Sequence, residues 1–94
     1  MSEYYPTPIN TDHILLPLDL QPLIEELAKN THEEWSLNRV KEGWTYGASR
    51  CDEKKHHPCL IAYEELPESE KEYDRISAIS TIKLLIALGY KINF

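Results

Sequence analysis

The sequence has no long apolar run. Its longest, Leu84 to Leu88, is five residues, far short of the roughly 20 apolar residues that cross a bilayer as a helix. The start, Met1-Ser2-Glu3-Tyr4-Tyr5-Pro6, carries no basic region followed by an apolar stretch, so no signal peptide is visible. Both observations point to a cytoplasmic protein. Cysteine is scarce: Cys51 and Cys59 are the only two, and in the cytoplasm they are expected as reduced thiols. Basic charge is also in short supply, with 10 Lys and Arg against 16 Asp and Glu for a net charge of −6. The imbalance lies in residues 1–47, with 8 acidic and 3 basic side chains against 8 and 7 in residues 48–94. An acidic chain is repelled by phosphate backbones and anionic lipid, which disfavours general nucleic-acid or membrane binding but leaves room for one small anion at a local Arg cluster. Internal repeats, low-complexity segments and any hydrolytic or redox triad are missing too. The chain reads as a binding or interaction module, not an enzyme.

Ninety-four residues suit one domain with one modest core, which stands to gain from self-association. Residues 1–18 hold Pro6, Pro8 and Pro17. Proline fixes φ and lacks a donor, so this segment is read as an extended arm, anchored by Ile14, Leu15, Leu16 and Leu18. Asp19 is placed to cap a helix over 20–42, with Pro22 in its first turn and Leu20, Leu23, Ile24, Leu27, Ala28, Thr31 and Trp35 on one face. Gly43 ends it. Asn30-Thr31 followed by Glu34 would also suit a break, but one long helix is favoured. A loop over 44–66 follows. Within it Thr45-Tyr46 and Leu60-Ile61-Ala62-Tyr63 are β-prone enough for a tiny sheet, to which Tyr90 to Phe94 could add a third strand. Ser69 and Glu72 read as a capping box for a second helix over 70–88, which Gly89 ends with Leu85 and Tyr90 in a Schellman turn. The predicted fold is mainly α: two antiparallel helices meeting through Leu23, Leu27, Ile79 and Leu84, an extended N-terminal arm and a minimal β element.

The chemistry concentrates in residues 32–66, which hold both tryptophans and both cysteines. Trp35 is either a core anchor or a flat platform on which a base can stack. Arg39 and Trp44 flank the stop at Gly43 and are expected to touch, either as a structural cation–π clip or with Arg39 fixed for phosphate contact. Trp44, Tyr46 and Arg50 would form a ligand wall or cap the core, with Gly47 admitting close backbone approach. Cys51, His56, His57 and Cys59 invite a zinc reading, but neither CxxC nor HxxxH is present, so no metal is expected. Cys59 reads as a small buried apolar residue rather than a nucleophile, since no orienting acid accompanies His57.

Leu16-Pro17, Leu27-Ala28-Lys29-Asn30, His32, Trp35, Arg39, Gly43-Trp44-Thr45-Tyr46-Gly47, Arg50, Asp52, Lys54-Lys55, His57-Pro58-Cys59-Leu60, Glu65-Leu66-Pro67, Tyr73-Asp74-Arg75 and Leu88-Gly89-Tyr90 together resemble the RyR repeat domain, named after ryanodine receptors, in its single-repeat bacterial or phage form. Cys51, where the family more often has an acid, and Ser80-Thr81-Ile82 depart from the pattern. Without a pore or an inter-repeat loop, neither calcium conduction nor phosphorylation control carries over. The resemblance implies a mostly helical module whose repeats pair with approximate two-fold symmetry, which a single repeat would reproduce as a homodimer. It also implies a nucleotide-like ligand between paired repeats, with the tryptophan matching Trp35 stacked on the base. Trp35, Arg39, Trp44, Tyr46 and Arg50 are the candidate ligand-binding residues. No catalytic residue, metal or cofactor is expected. The alternative is a structural protein-interaction domain with no small ligand.

Overall fold

The structure, a computed structural model, describes residues 3–92. Two long helices, α1 (Gln21–Lys41) and α2 (Glu68–Ala87), flank a loop that carries a two-stranded parallel sheet, β1 (Thr45–Tyr46) and β2 (His56–His57). Thr45 pairs with His56 and Tyr46 with His57. α1 runs unbroken through Asn30 and Thr31, with the Thr31 hydroxyl turned back onto Leu27 O at 2.8 Å.

The glycine stops act as their positions imply. The Trp44 amide donates to Arg39 O at 2.9 Å and the Gly43 amide to Val40 O at 3.0 Å, with Gly43 at φ 93°. This pair of bonds is the Schellman pattern. Tyr90 to Leu85 O and Gly89 to Ile86 O, both 3.0 Å, repeat it after α2.

The helix starts differ from expectation. Asp19 caps nothing: it lies in a 3-10 turn, Leu18–Leu20, that feeds directly into α1 and takes over the first donors. Ser69 and Glu72 form no capping box, because α2 starts at Glu68 and the Pro67 carbonyl receives the Glu70 and Lys71 amides. The partner of β1 is His56–His57 and not Leu60–Tyr63. The latter stretch bends into a 3-10 turn, Tyr63–Glu65, that buries Tyr63 between the helices. Tyr90 to Ile92 form no strand, and the rest of that stretch, Asn93 and Phe94, lies outside the described residues.

The core falls into two clusters. Leu20 and Ile24 pack with Ala78 and Ile82, with Leu16, Leu23, Ile79, Ile86 and Ile92 partly buried around them. Ala28 packs with Tyr63 and Leu66 against Cys59 and Ile61. Of the four residues expected to join the helices, Leu23 and Ile79 sit at this seam, Leu84 is half-buried and Leu27 is exposed, because Ile24 and Ala28 take the centre of the face. Of the arm's expected anchors only Leu16 joins the core; Ile14 is half-buried, and Leu15 and Leu18 are 89% and 85% exposed. A polar clasp crosses the outside of the seam. Arg75 on α2 binds Glu25 on α1, Glu68 at 2.9 Å and Glu72 at 3.3 Å, while the Tyr63 hydroxyl donates to Glu25 at 3.1 Å.

Candidate functional site

Where the last half of α1, the small sheet and the first turns of α2 converge, they leave a cleft of about 280 Å³ lined by His32, Trp35, Arg39, Arg50, His57, Cys59, Leu66, Glu70, Tyr73 and Asp74. α1 supplies its floor at a spacing of three and four, the spacing that places side chains on one helix face. His32 is buried, 4% exposed, and its Nε2–H donates to Ile61 O at 2.7 Å. A carbonyl only accepts, so this bond fixes the proton on Nε2. The His32 ring stacks on Trp35 at 5.7 Å, and His57 from β2 meets the indole in a T-shaped contact at 4.8 Å. Trp35 thus packs on two imidazole rings and is half-buried.

The Arg39 guanidinium lies 4.6 Å from the Trp44 ring centre and 5.6 Å from that of Trp35. Trp44 is buried, so the clip at the helix end is real and at the same time sets Arg39 at the cleft wall. Arg50 comes from the loop between the strands, pairs with Asp52 at 2.9 Å, and lies 5.9 Å from Trp44. Lys55 hooks this loop to the helix end by donating to Glu42 O at 2.7 Å.

Ionisable groups of the cleft walls are perturbed by their surroundings. The Cys59 amide donates to His57 Nδ1 at 3.0 Å, so neutral His57 carries its proton on Nε2. Burial, then the Arg50 and Arg39 charges, hold His57 below its ordinary value. Burial, with Glu70 and Asp74 nearby, pushes the Cys59 thiol up, which works against a nucleophilic thiolate. Burial also raises the Asp74 carboxyl. Among the described residues no group of three or more His, Cys, Asp or Glu side chains is placed to hold a metal ion.

Of the five residues singled out from the sequence, Trp35, Arg39 and Arg50 share this cleft. Trp44 and Tyr46 instead line a separate, more open apolar groove with Val40, Leu60 and Ile61. At Gly47 the space a side chain would need is filled by His56. His32, His57, Glu70, Tyr73 and Asp74 were not singled out as ligand contacts. Glu70 and Asp74 lie one turn apart on α2, yet nothing in their spacing tells which side of α2 faces α1.

A family model described as RyR domain matches residues 4–94, nearly the whole chain.

Proposed function

The chain belongs to the RyR domain family, and on that premise we propose that it is a non-catalytic binding module whose cleft takes a nucleotide-like ligand. One observation carries this reading: a half-buried indole, Trp35, opens into the same cleft as two guanidinium groups, Arg39 and Arg50. An indole face stacks any base, and a guanidinium fork matches phosphate oxygens. The rings of His32 and His57 pre-order Trp35, which lowers the entropy lost on stacking. Neutral His57 offers an Nε2–H without adding charge.

Isothermal titration with adenosine mono-, di- and triphosphate tests the reading. Trp35→Ala should weaken binding by the ~1–3 kcal/mol of one stacked base, while the thermal melt of the unliganded variant stays cooperative. Unchanged affinity in that variant would place the ligand elsewhere. Absence of binding by every nucleotide would favour the alternative, an interaction domain that docks another protein, for which the exposed Val40 and Tyr46 beside the open groove speak. We further propose self-association, since extended apolar residues of the arm, Tyr4, Tyr5 and Ile9, are exposed. A cytoplasmic setting accords with Cys51 and Cys59 as free thiols.

A further inference from the structure

The cleft has a wall that base stacking and phosphate binding leave without a task. Glu70 and Asp74 project from α2 into the cleft that holds Trp35, Arg39 and Arg50. Among the described residues neither carboxylate makes a hydrogen bond or an ion pair, whereas Glu68 and Glu72, on the same turns, are tied to Arg75. Neither arginine of the cleft pairs with Glu70 or Asp74: the Arg39 guanidinium lies over Trp44 at 4.6 Å and Arg50 Nε meets Asp52 at 2.9 Å, which leaves their remaining N–H groups for a phosphate. Asp74 is half-buried, and its desolvation raises the carboxyl, only partly offset by His32. An ionised carboxylate is purely an acceptor. Partly stripped of water and given no donor by the protein, it keeps acceptor sites that a ligand O–H or N–H would fill.

We infer that Glu70 and Asp74 accept hydrogen bonds from O–H or N–H donors of the ligand, so that the cleft selects a molecule with a donor-rich end beside its anionic end. The inference rests on the nucleotide reading above. In such a ligand the donors are the ribose hydroxyls or the amino group of the base. The bland view of the two acids gives the opposite sign. If they only contribute charge, they repel the phosphate, and removing them should tighten binding.

The test measures, by isothermal titration, the affinity of the wild type and of the Glu70→Gln, Asp74→Asn double variant for three probes. These are adenosine monophosphate, its dideoxy form lacking both ribose hydroxyls, and purine riboside monophosphate lacking the amino group. The double variant should bind adenosine monophosphate roughly tenfold more weakly, the difference between a charged and a neutral acceptor. The wild type's preference for it over one analogue should shrink by a similar factor. Loss of preference against the dideoxy form assigns the carboxylates to the ribose; loss against the purine riboside assigns them to the base. Equal or tighter binding by the double variant overturns the inference, as does uniform weakening with every preference intact. If Trp35→Ala weakens binding while the double variant binds normally, the nucleotide reading stands and this inference falls. If the wild type binds none of the probes, both fall. Both replacements preserve side-chain size, and a thermal melt of the unliganded double variant separates loss of contacts from loss of fold.

Discussion

Gly47 is where a single added methyl group would do most harm. A Cβ there would sit 2.7 Å from His56 Cγ and 2.9 Å from Nδ1, and nearer still to Cβ. Because the obstacle begins at His56 Cβ, next to backbone, no rotamer change relieves it. Gly47→Ala should cost about 1–3 kcal/mol, the usual cost of overpacking, read as a lower midpoint in urea unfolding. It should also disturb β2, which carries His57. That histidine gives a prediction in pH. Burial and the two arginines lower its folded value, against smaller opposing effects of Glu70 and Asp52. Between the ordinary value near 6.5 and that lower folded value, the unfolded chain binds a proton that the folded chain does not. His57 therefore costs no stability above this window, and stability falls as pH drops through it. A proton NMR titration should place the His57 midpoint below 6.5, and a midpoint at or above that value would contradict the geometry. The sequence made Arg39 legible because it stands at a helix end whose stop, Gly43, is itself legible, and Trp35 because it lies one turn earlier on the same face of that helix. It did not mark His57 or Asp74 as cleft residues, because each reaches the cleft only through what a distant element places opposite it.

At the scale of elements, termination was readable and initiation was not. A helix stop rests on one residue able to hold positive φ, and Gly43 at φ 93° is that residue. Gly43→Ala should cost about 1–2 kcal/mol, the penalty of a Cβ in left-handed backbone, and because Trp44 and Arg39 meet through this turn it should loosen the cleft as well. Neither Asp19 nor Ser69 caps its helix, because the preceding 3-10 turn at α1 and the Pro67 carbonyl at α2 take the role by backbone alone. The strand partner was missed for a related reason. Leu60 to Tyr63 is more β-prone than His56-His57, but Tyr63 is drawn into the seam between the helices by its hydroxyl bond to Glu25 and its packing on Ala28. Tertiary packing therefore decides the local structure there. Tyr63→Phe keeps that packing and removes only the bond to a carboxylate, so it should lower stability by about 1–2 kcal/mol in chemical denaturation. No change would mean that water serves Glu25 equally well.

The whole molecule is more spread out than its length requires. Its radius of gyration is 16.5 Å, whereas a compact chain of this length would have about 12 Å. The arm accounts for part of the excess: from Glu3 to Asn10 every residue is exposed, and Leu16 is the first residue to join a core cluster. Extended chain that leaves Tyr4, Tyr5 and Ile9 in water gains most by laying them on another surface, since each buried aromatic or branched side chain is worth about 1.5–3 kcal/mol. A second copy offers such a surface in the open groove between Val40, Tyr46, Leu60 and Ile61, and two arms exchanged about a two-fold axis would satisfy both molecules at once. Light scattering coupled to gel filtration should then report twice the 11.0 kDa chain mass at tens of micromolar protein. Deleting residues 1–12 should return the monomer with its melt still cooperative, because among the described residues neither core cluster draws on residues 3–12. A wild type that is monomeric at high micromolar concentration would reject the exchange. A truncated chain that stays dimeric would move the interface away from the arm, to the exposed apolar side chains of α2, Tyr73, Ile76 and Leu85. Tyr73 lines the Trp35 cleft, so in that case dimerisation would change the affinity for the nucleotide proposed to bind there, and titrating that nucleotide across the dimer dissociation range would tell the two arrangements apart.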